Sequence, residues 1–537
     1  MQLQFIGADH EVTGSCHYLQ VGSKHILVDC GMEQGGDTYE NESLPVPASK
    51  IDYVFLTHAH IDHSGMLPKL YHDGFRGTIV ATQATALLAD IMLRDSAHIQ
   101  TSEAEYKNKR IKNNGGGEEV EPIYTMEDAM MVVKLISPYS YDRVYQLCEG
   151  VKFRLTDIGH LLGSSSIELW LTEGGVSKKI VFSGDIGNKN QPLLRDPQYT
   201  EEADYVVMES TYGDRLHEID DSDPVQELAD IISDTLTQGG NLVIPSFAVG
   251  RTQVLLYYIR QIKQNDMVPE FPDFPVYVDS PLAVSATEIF MESEQECFDE
   301  EAMDLVRQGI NPISFKNLRL TITAEESKAI NTDEEPKVII SASGMCDAGR
   351  VRHHLMYNLG RSESTILFVG YQAEGSPGRK LLDGAAEIRL FGEDIPVNAR
   401  IATIKSMSGH ADKKGLLEWI NAFTAKPKQV FVVHGDDKVT EIFADCLKEE
   451  YGYNAMAPFS GTRYDLANGK FIEITKGIPV EHAETGSKGK VVSDSYTRLK
   501  MTSREVSDFI DKCQGLPNKD LDKFSRDLLA LIEKYRR

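Results

Sequence analysis

Residue patterning points to a layered α/β protein of two or three domains. Three observations carry that expectation. Short apolar stretches recur along the chain and stop at polar or Gly-rich turns, the mark of buried strands. Helical stretches with capping residues separate many of them, so strands and helices intersperse. The length, 537 residues, exceeds what one hydrophobic core supports.

The opening pattern predicts strands over 1–6, 17–21 and 25–28, the last running into Asp29-Cys30-Gly31. A fully apolar strand over 53–56 leads straight into Thr57-His58-Ala59-His60-Ile61-Asp62-His63, and a short helix over 67–72 is closed by Gly74. Further buried strands are expected to end at His160 and at Asp185. A second α/β stretch begins near Tyr205. It carries a helix over 224–236, a strand over 241–244, a helix after Gly250-Arg251-Thr252, and strands over 276–278 and 338–341. Past Gly384 short strands return, with turns at Ser408-Gly409-His410 and Val433-His434-Gly435 and strand-like pieces over 456–474. Residues 113–119 read as a polar surface loop.

The tail differs in character. Residues 484–490 form a Gly/Ser/Lys linker, and Thr502-Ser503-Arg504-Glu505 makes a capping box before a short helix stopped by Gly515 and Pro517. Leu521, Phe524, Leu528 and Leu531 then recur at helical spacing, giving either a helical cap on the core or a docking or oligomerisation helix.

Composition narrows the class of function. Hydrophobic residues make up 41% and charged residues 26%, as in ordinary globular proteins, so wholesale disorder is excluded. No apolar run approaches the roughly 20 residues that span a bilayer, and the first residues lack the basic and apolar regions of a signal peptide. The expectation is a cytoplasmic chain with no membrane partner. Seven cysteines without Cys-x-x-Cys spacing argue against a disulfide framework or a Cys-rich zinc site. The 55 basic residues against 82 acidic ones leave a net charge of −27, which repels polyanions at long range and leaves room only for a locally basic groove.

The central observation is His58-x-His60-x-Asp62-His63. Metal ligands must be neutral imidazoles or carboxylates, and a turn after a strand lets such side chains converge where an extended strand would send Asp62 and His63 apart.

This motif resembles that of the metallo-β-lactamase superfamily, and further signature residues follow in the right order. Asp29 ends a strand like the family's first motif. His160, in Ile158-Gly159-His160-Leu161, matches the third, and Asp185, in Ser183-Gly184-Asp185-Ile186, matches the fourth. Met208-Glu209-Ser210-Thr211-Tyr212-Gly213-Asp214, Ser408-Gly409-His410-Ala411-Asp412 and Val433-His434-Gly435 look like motifs A, B and C of the β-CASP branch. Also similar to that branch are Pro245-Ser246-Phe247-Ala248-Val249-Gly250-Arg251, Ser341-Ala342-Ser343-Gly344-Met345, and Gly370-Tyr371-Gln372-Ala373-Glu374-Gly375. The match covers about residues 1–475 and is nearest to prokaryotic relatives of the cleavage-and-polyadenylation endonuclease subunit.

The resemblance implies a metallo-β-lactamase αββα sandwich over 1–205 and 386–480, an inserted α/β β-CASP domain over 206–385, and a linker with a helical tail over 481–537. It implies two Zn2+ ions, one held by His58, His60 and His160 and the other by Asp62, His63 and His434, with Asp185 bridging. Manganese or iron suits such ligands too, but His60 stands where the di-iron members carry Glu, which favours zinc. A hydroxide between the metals would attack the phosphorus. Asp29 would fix the tautomer of a motif histidine. His410 would act as general acid, oriented and raised in pKa by Glu209. Ser341, Ser343, Gly344, Arg350, Arg379 and Arg251, with Arg352 and Lys380 nearby, would bind phosphates of the RNA.

His434 at motif C points to RNA, because DNA-repair members carry Val there. The implied activity is a zinc-dependent ribonuclease acting on single-stranded RNA as an endonuclease, a 5′-exonuclease or both, with strong salt dependence. A homodimer is the expected assembly. Two other readings compete: a hydrolase of small substrates, since the fold hosts several chemistries, and a non-catalytic RNA-processing scaffold. The inserted domain and His410 count against the first, and the complete ligand set counts against the second.

Overall fold

A computed structural model describes residues 1–480 apart from 36–37, 114–118, 218–222, 371, 374 and 405–407, and beyond them only 519, 523–526 and 534. By contacts the chain divides into Met1–Val480 and Glu481–Arg537. The expected linker at 484–490 and the capping box at 502–505 lie outside the described residues, as does most of 518–535. So does most of the expected loop over 113–119, although the helix Gln83–Asn113 runs up to it.

Among the described residues three large sheets form. The first has eight strands in the order Lys470–Glu473, Arg463–Asp465, Gln2–Gly7, Cys16–Val21, Lys24–Val28, Tyr53–Phe55, Thr78–Ala81 and Ile136–Pro138. The second has seven, in the order Ala455–Met456, Gln429–Val433, Tyr205–Glu209, Val176–Phe182, Ser165–Glu173, Val151–Asp157 and Tyr145–Cys148. Apolar side chains of both sheets meet in one buried cluster that includes Phe5, Val28, Phe55, Phe153, Ile167, Phe182 and Phe431, so the sheets stack face to face. Helices cover the outer faces. Lys413–Asn421 and Asp437–Glu449 pack Trp419, Leu416, Phe443 and Leu447 over one sheet. The 31-residue helix Gln83–Asn113, which patterning did not single out, lays Leu88 and Leu93 over the other.

The third sheet has six parallel strands, ordered Leu318–Thr321, Val276–Asp279, Val338–Ser341, Leu242–Pro245, Thr365–Phe368 and Arg400–Thr403. Continuous apolar strands such as Val338-Ile339-Ile340 suit it because helices bury both faces. One face shares a core with the helix-covered side of the eight-stranded sheet. Mixed α/β architecture with an αββα sandwich and an inserted parallel-sheet domain is therefore what the chain adopts.

Strands lie across or beside two of the limits that the resemblance implies. Position 206 falls inside Tyr205–Glu209, which pairs in parallel with Val176–Phe182 and with Gln429–Val433 and so lies in the seven-stranded sheet. Position 385 falls short of Arg400–Thr403, which pairs with Thr365–Phe368 in the six-stranded sheet. Strand partners are chosen across hundreds of residues, and local composition carries no record of them. The strands expected to reach His160 and Asp185 stop earlier, at Asp157 and Phe182, leaving both residues in loops.

Candidate metal centre and catalytic cleft

Parallel pairing brings the site together. Val176–Phe182, Tyr205–Glu209 and Gln429–Val433 run side by side with Phe182 opposite Val207 and Glu209 opposite Val433. Their carboxyl ends therefore deliver Asp185, Glu209 and His434 to one edge. In the other sheet Val28 stands opposite Phe55, which brings Asp29 and Thr57 to the matching edge. A bond from the Ser165 backbone N–H to the Thr57 carbonyl, 2.8 Å, joins the two edges.

The histidine motif is held by its backbone. His60 caps the short helix Ile61–Ser64, and N–H groups of Met32, Ser15 and Cys30 bond the carbonyls of Ile61, Asp62 and His63 at 2.8–2.9 Å. Gly31 permits that approach, since a Cβ on it would stand 1.7 Å from the Asp62 carbonyl oxygen. Gly187 plays the same part beside His160: its Cβ would fall 2.2 Å from the Gly159 carbonyl.

Asp185 is the hub. Its Oδ2 lies 3.4 Å from both His58 Nε2 and His160 Nε2, while its Oδ1 lies 3.2 Å from His63 Nε2 and 3.5 Å from His434 Nε2. Two groups of donor atoms result, His58, His60, His160 and Asp185 in one and Asp62, His63 and His434 in the other, each within 4.8 Å of its fellows. Asp185 sits between them, one oxygen toward each.

The donor set fits zinc. Ring nitrogens face one another at 3.1 Å between His58 and His60, 3.3 Å between His160 and His60, and 3.0 Å between His63 and His434. Two nitrogens on a tetrahedral zinc stand about 3.3 Å apart. Asp185 Oδ1 is buried without a hydrogen bond. Burial first, then the neighbouring imidazoles, holds His58 and His160 well below the usual histidine range, so they are neutral and ready to ligate. Burial works against the charge of Asp62, but the imidazoles of His434, His63 and His60 outweigh it and hold its carboxyl at about 2.

Surrounding groups orient this set. His63 Nδ1 and Asp29 Oδ2 are 2.8 Å apart, and Asp29 also accepts the Thr57 N–H and hydroxyl at 2.8 Å each. With Nδ1 donating to Asp29, His63 presents Nε2 toward Asp185. Thr211 Oγ1 stands 3.2 Å from His434 Nδ1 in the same manner. Patterning did not identify Thr57 or Thr211; the hydroxyl directly ahead of the histidine motif was the one available signal.

His410 sits at the rim, joined to Gly187 by a β-bridge and 4.0 Å from Asp185 Oδ2 through Nε2. Its Nδ1 is 3.3 Å from Glu209 Oε1, which also accepts the Ile186 N–H at 2.5 Å, while Glu209 Oε2 accepts the Thr211 N–H at 3.2 Å. Burial disfavours a charged His410, but Glu209 and then Asp185 and Asp62 lift it to about 9, so the ring holds a proton at neutral pH. Gln191, also absent from the sequence reading, ties the adjoining loop by donating to the Gly409 carbonyl at 2.7 Å.

The residues expected to bind phosphate are gathered less completely. Ser343 and Gly344 lie in the loop after Val338–Ser341, Gly344 against Phe247. Ser341 Oγ instead donates to the Asp279 carbonyl at 2.8 Å. Arg350 is drawn to buried Asp279 at 2.7 Å and to the Ile322 carbonyl, a network completed by His354, Ser327 and Thr321. Arg379 pairs with Asp383 on an exposed helix turn. Arg251 opens the helix Arg251–Gln264, where burial lowers its guanidinium to about 10 and leaves it charged. Arg350 is engaged by tertiary partners, which a run of basic residues does not specify, whereas the Asp383 that pairs with Arg379 is four residues on in the same helix turn.

Comparison with known proteins agrees with this geometry. The metallo-β-lactamase superfamily matches residues 11–232, the β-CASP domain matches 252–381, and a Zn-dependent metallo-hydrolase RNA specificity domain matches 394–458. The chain is 34% identical over 439 residues to Ribonuclease TTHA0252 of Thermus thermophilus, covering 82% of this chain and 94% of that one. It is 30% identical over 474 residues to Transcription termination factor FttA of Methanocaldococcus jannaschii, covering 86% and 71%. It is 31% identical over 466 residues to an RNase J-like protein of the same organism, covering 86% and 98%. With its stacked sheets, inserted parallel-sheet domain and histidine-rich edge, the chain belongs to the β-CASP branch of the metallo-β-lactamase superfamily.

Proposed function

We propose that this chain is a zinc-dependent ribonuclease that hydrolyses RNA phosphodiester bonds and leaves a 3′-hydroxyl and a 5′-phosphate. The observation that carries the reading is Asp185, whose two oxygens face two separate groups of imidazoles beside the His410–Glu209 pair. His58, His60 and His160 would hold one zinc, Asp62, His63 and His434 the other, with Asp185 shared. Zinc in those positions supplies positive charge against the phosphate oxygens and acidifies the attacking water.

The chain's own groups do the rest. Asp29 and Thr211 hold the rings of His63 and His434 in one orientation. As water attacks phosphorus and the bond to the 3′ oxygen breaks, His410 gives its Nε2 proton to that oxygen, and Glu209 steadies the ring through Nδ1. Single-stranded RNA is the favoured substrate, because its bases can splay out along a cleft. The same reading takes in Ser343, Gly344 and Arg251 as phosphate contacts, a cytoplasmic setting and a homodimer. No helix among the described residues is long and apolar enough to cross a membrane.

The test is cleavage of end-labelled single-stranded RNA by metal-quantified protein, with and without chelator, beside a matched DNA. Chelator-sensitive RNA cleavage with two zinc ions per chain is expected, and the product ladder separates internal from terminal attack. Full zinc loading without RNA cleavage would overturn the proposal.

A further inference from the structure

Between the strand Leu242–Pro245 and the helix Arg251–Gln264 the chain displays one large apolar side chain. Phe247 is 47% exposed, whereas Ser246, Ala248 and Val249 on either side are 1%, 7% and 5% exposed. An exposed phenylalanine by itself is ordinary. This one is distinguished by how it is held and by what surrounds it.

Its backbone is pinned. The Phe247 carbonyl accepts the Thr252 hydroxyl at 2.7 Å, the Ser246 hydroxyl at 3.2 Å and the Thr252 N–H at 3.3 Å. The loop is fastened below by the Ser246 N–H on the Ser341 carbonyl at 3.0 Å. A ring on so fixed a stem loses little conformational freedom when something stacks on it.

Its neighbours are glycines. A Cβ on Gly344 would stand 3.2 Å from Phe247 Cδ2, and one on Gly370 would stand 4.0 Å from Phe247 Cε2. These two positions, at the carboxyl ends of Val338–Ser341 and Thr365–Phe368, leave the ring uncovered where any other residue would pack on it. The loop also packs beside the segment that carries His160: at its far end a Cβ on Gly250 would lie 3.1 Å from Leu161, the residue after His160. The Ser343 hydroxyl precedes Gly344 on the same rim.

We infer that Phe247 is a base-stacking platform, on which a nucleobase of single-stranded RNA rests while the neighbouring phosphate enters the metal centre. The inference rests on the ribonuclease reading and adds to it how the strand is gripped without sequence preference, since every base offers a flat face to an aromatic ring.

The experiment pairs removal of the ring with removal of the base. Zinc-loaded wild-type protein, Phe247→Ala and Phe247→Trp are compared on a single-stranded RNA and on an oligomer of equal length built from baseless ribose-spacer phosphates. Phe247→Ala is expected to weaken RNA binding and raise KM roughly 5- to 150-fold, with zinc content intact. It should leave the baseless oligomer unaffected, and Phe247→Trp should restore RNA binding. An unchanged KM and affinity for RNA, or an equal loss on both oligomers, would overturn the inference. RNA binding that depends on Phe247 in a protein that cuts no RNA would remove the ribonuclease reading and keep the platform. Neither binding nor cleavage of RNA by the wild type would remove both.

Discussion

Replacing Asp29 by Asn alters one atom of a buried side chain and isolates the orienting shell from the ligands themselves. Asp29 offers only acceptors, and all its partners arrive as donors: His63 Nδ1 at 2.8 Å and Oδ2, the Thr57 N–H at 2.8 Å and Oδ1, and the Thr57 hydroxyl. An asparagine must turn its NH2 toward one side. Facing His63, it meets an N–H and drives the proton to Nε2, the nitrogen aimed at Asp185. Facing the Thr57 N–H, it leaves two buried donors opposed, at a cost of about 1–3 kcal/mol. Loss of such an orienting partner weakens a metal site 10- to 100-fold as an order of magnitude. Competition titration with a chromophoric chelator should therefore find one zinc of two released at lower chelator concentration, while the site on the other oxygen of Asp185 keeps its affinity. If Asp29→Asn held both ions as the wild type does, the assignment of Asp29 as the partner that fixes His63 would be wrong.

Other substitutions separate the remaining roles. His410→Ala should retain two zinc ions and lose hydrolysis by about 10²- to 10⁴-fold; metal analysis beside turnover checks it, and loss of zinc would show His410 to be a ligand instead. His434→Ala should lower occupancy at the site of Asp62 and His63, and unchanged stoichiometry would refute its part there. Asp185→Ala should lose metal at both sites together, since each group of imidazoles faces one of its oxygens. Asp157 gives a pH signature: burial lifts its carboxyl from 3.8 to about 7, so the folded chain keeps a proton that the unfolded chain releases. Stability then falls as pH rises from about 4 to about 7, by up to about 4 kcal/mol, and is flat above. Asp157→Asn keeps the acceptor for the Gly159 N–H and should abolish that fall. Urea denaturation at pH 5 and pH 8 measures it, and an unaltered pH slope would show the proton to reside elsewhere.

Much of this was legible in the linear chain because the information is local. Val338-Ile339-Ile340 is an apolar run followed by Ser341, and a strand forms over Val338–Ser341 as the pattern predicts. The four polar side chains from His58 to Asp62 and His63 fall within six positions, close enough that a single turn must bring them together. The order of Asp29, His160, Asp185, Glu209, His410 and His434 likewise survives as sequence. Local pattern carries no partner far along the chain, and such pairings entered only through the family resemblance. His63 meets His434 across 371 positions, and Glu209 meets His410 across 201.

The same separation explains the differences between expectation and structure. Tyr205–Glu209 is apolar enough for either of two sheets, and only its pairing with Gln429–Val433 assigns it. Arg350 carries the charge a phosphate would want, yet buried Asp279 lies within reach and an unpaired carboxylate there would be costly, so the ion pair forms. Phe247 is one apolar residue of a short motif, and only Gly344 and Gly370, arriving beside it from the ends of two other strands, leave its ring open. Short-range patterning states which elements form and which chemistry is carried, since backbone sterics and hydrophobic period act over a few residues. Which carboxylate faces which imidazole, and which ring stays open to a ligand, follow from burial and close packing of elements distant in the chain.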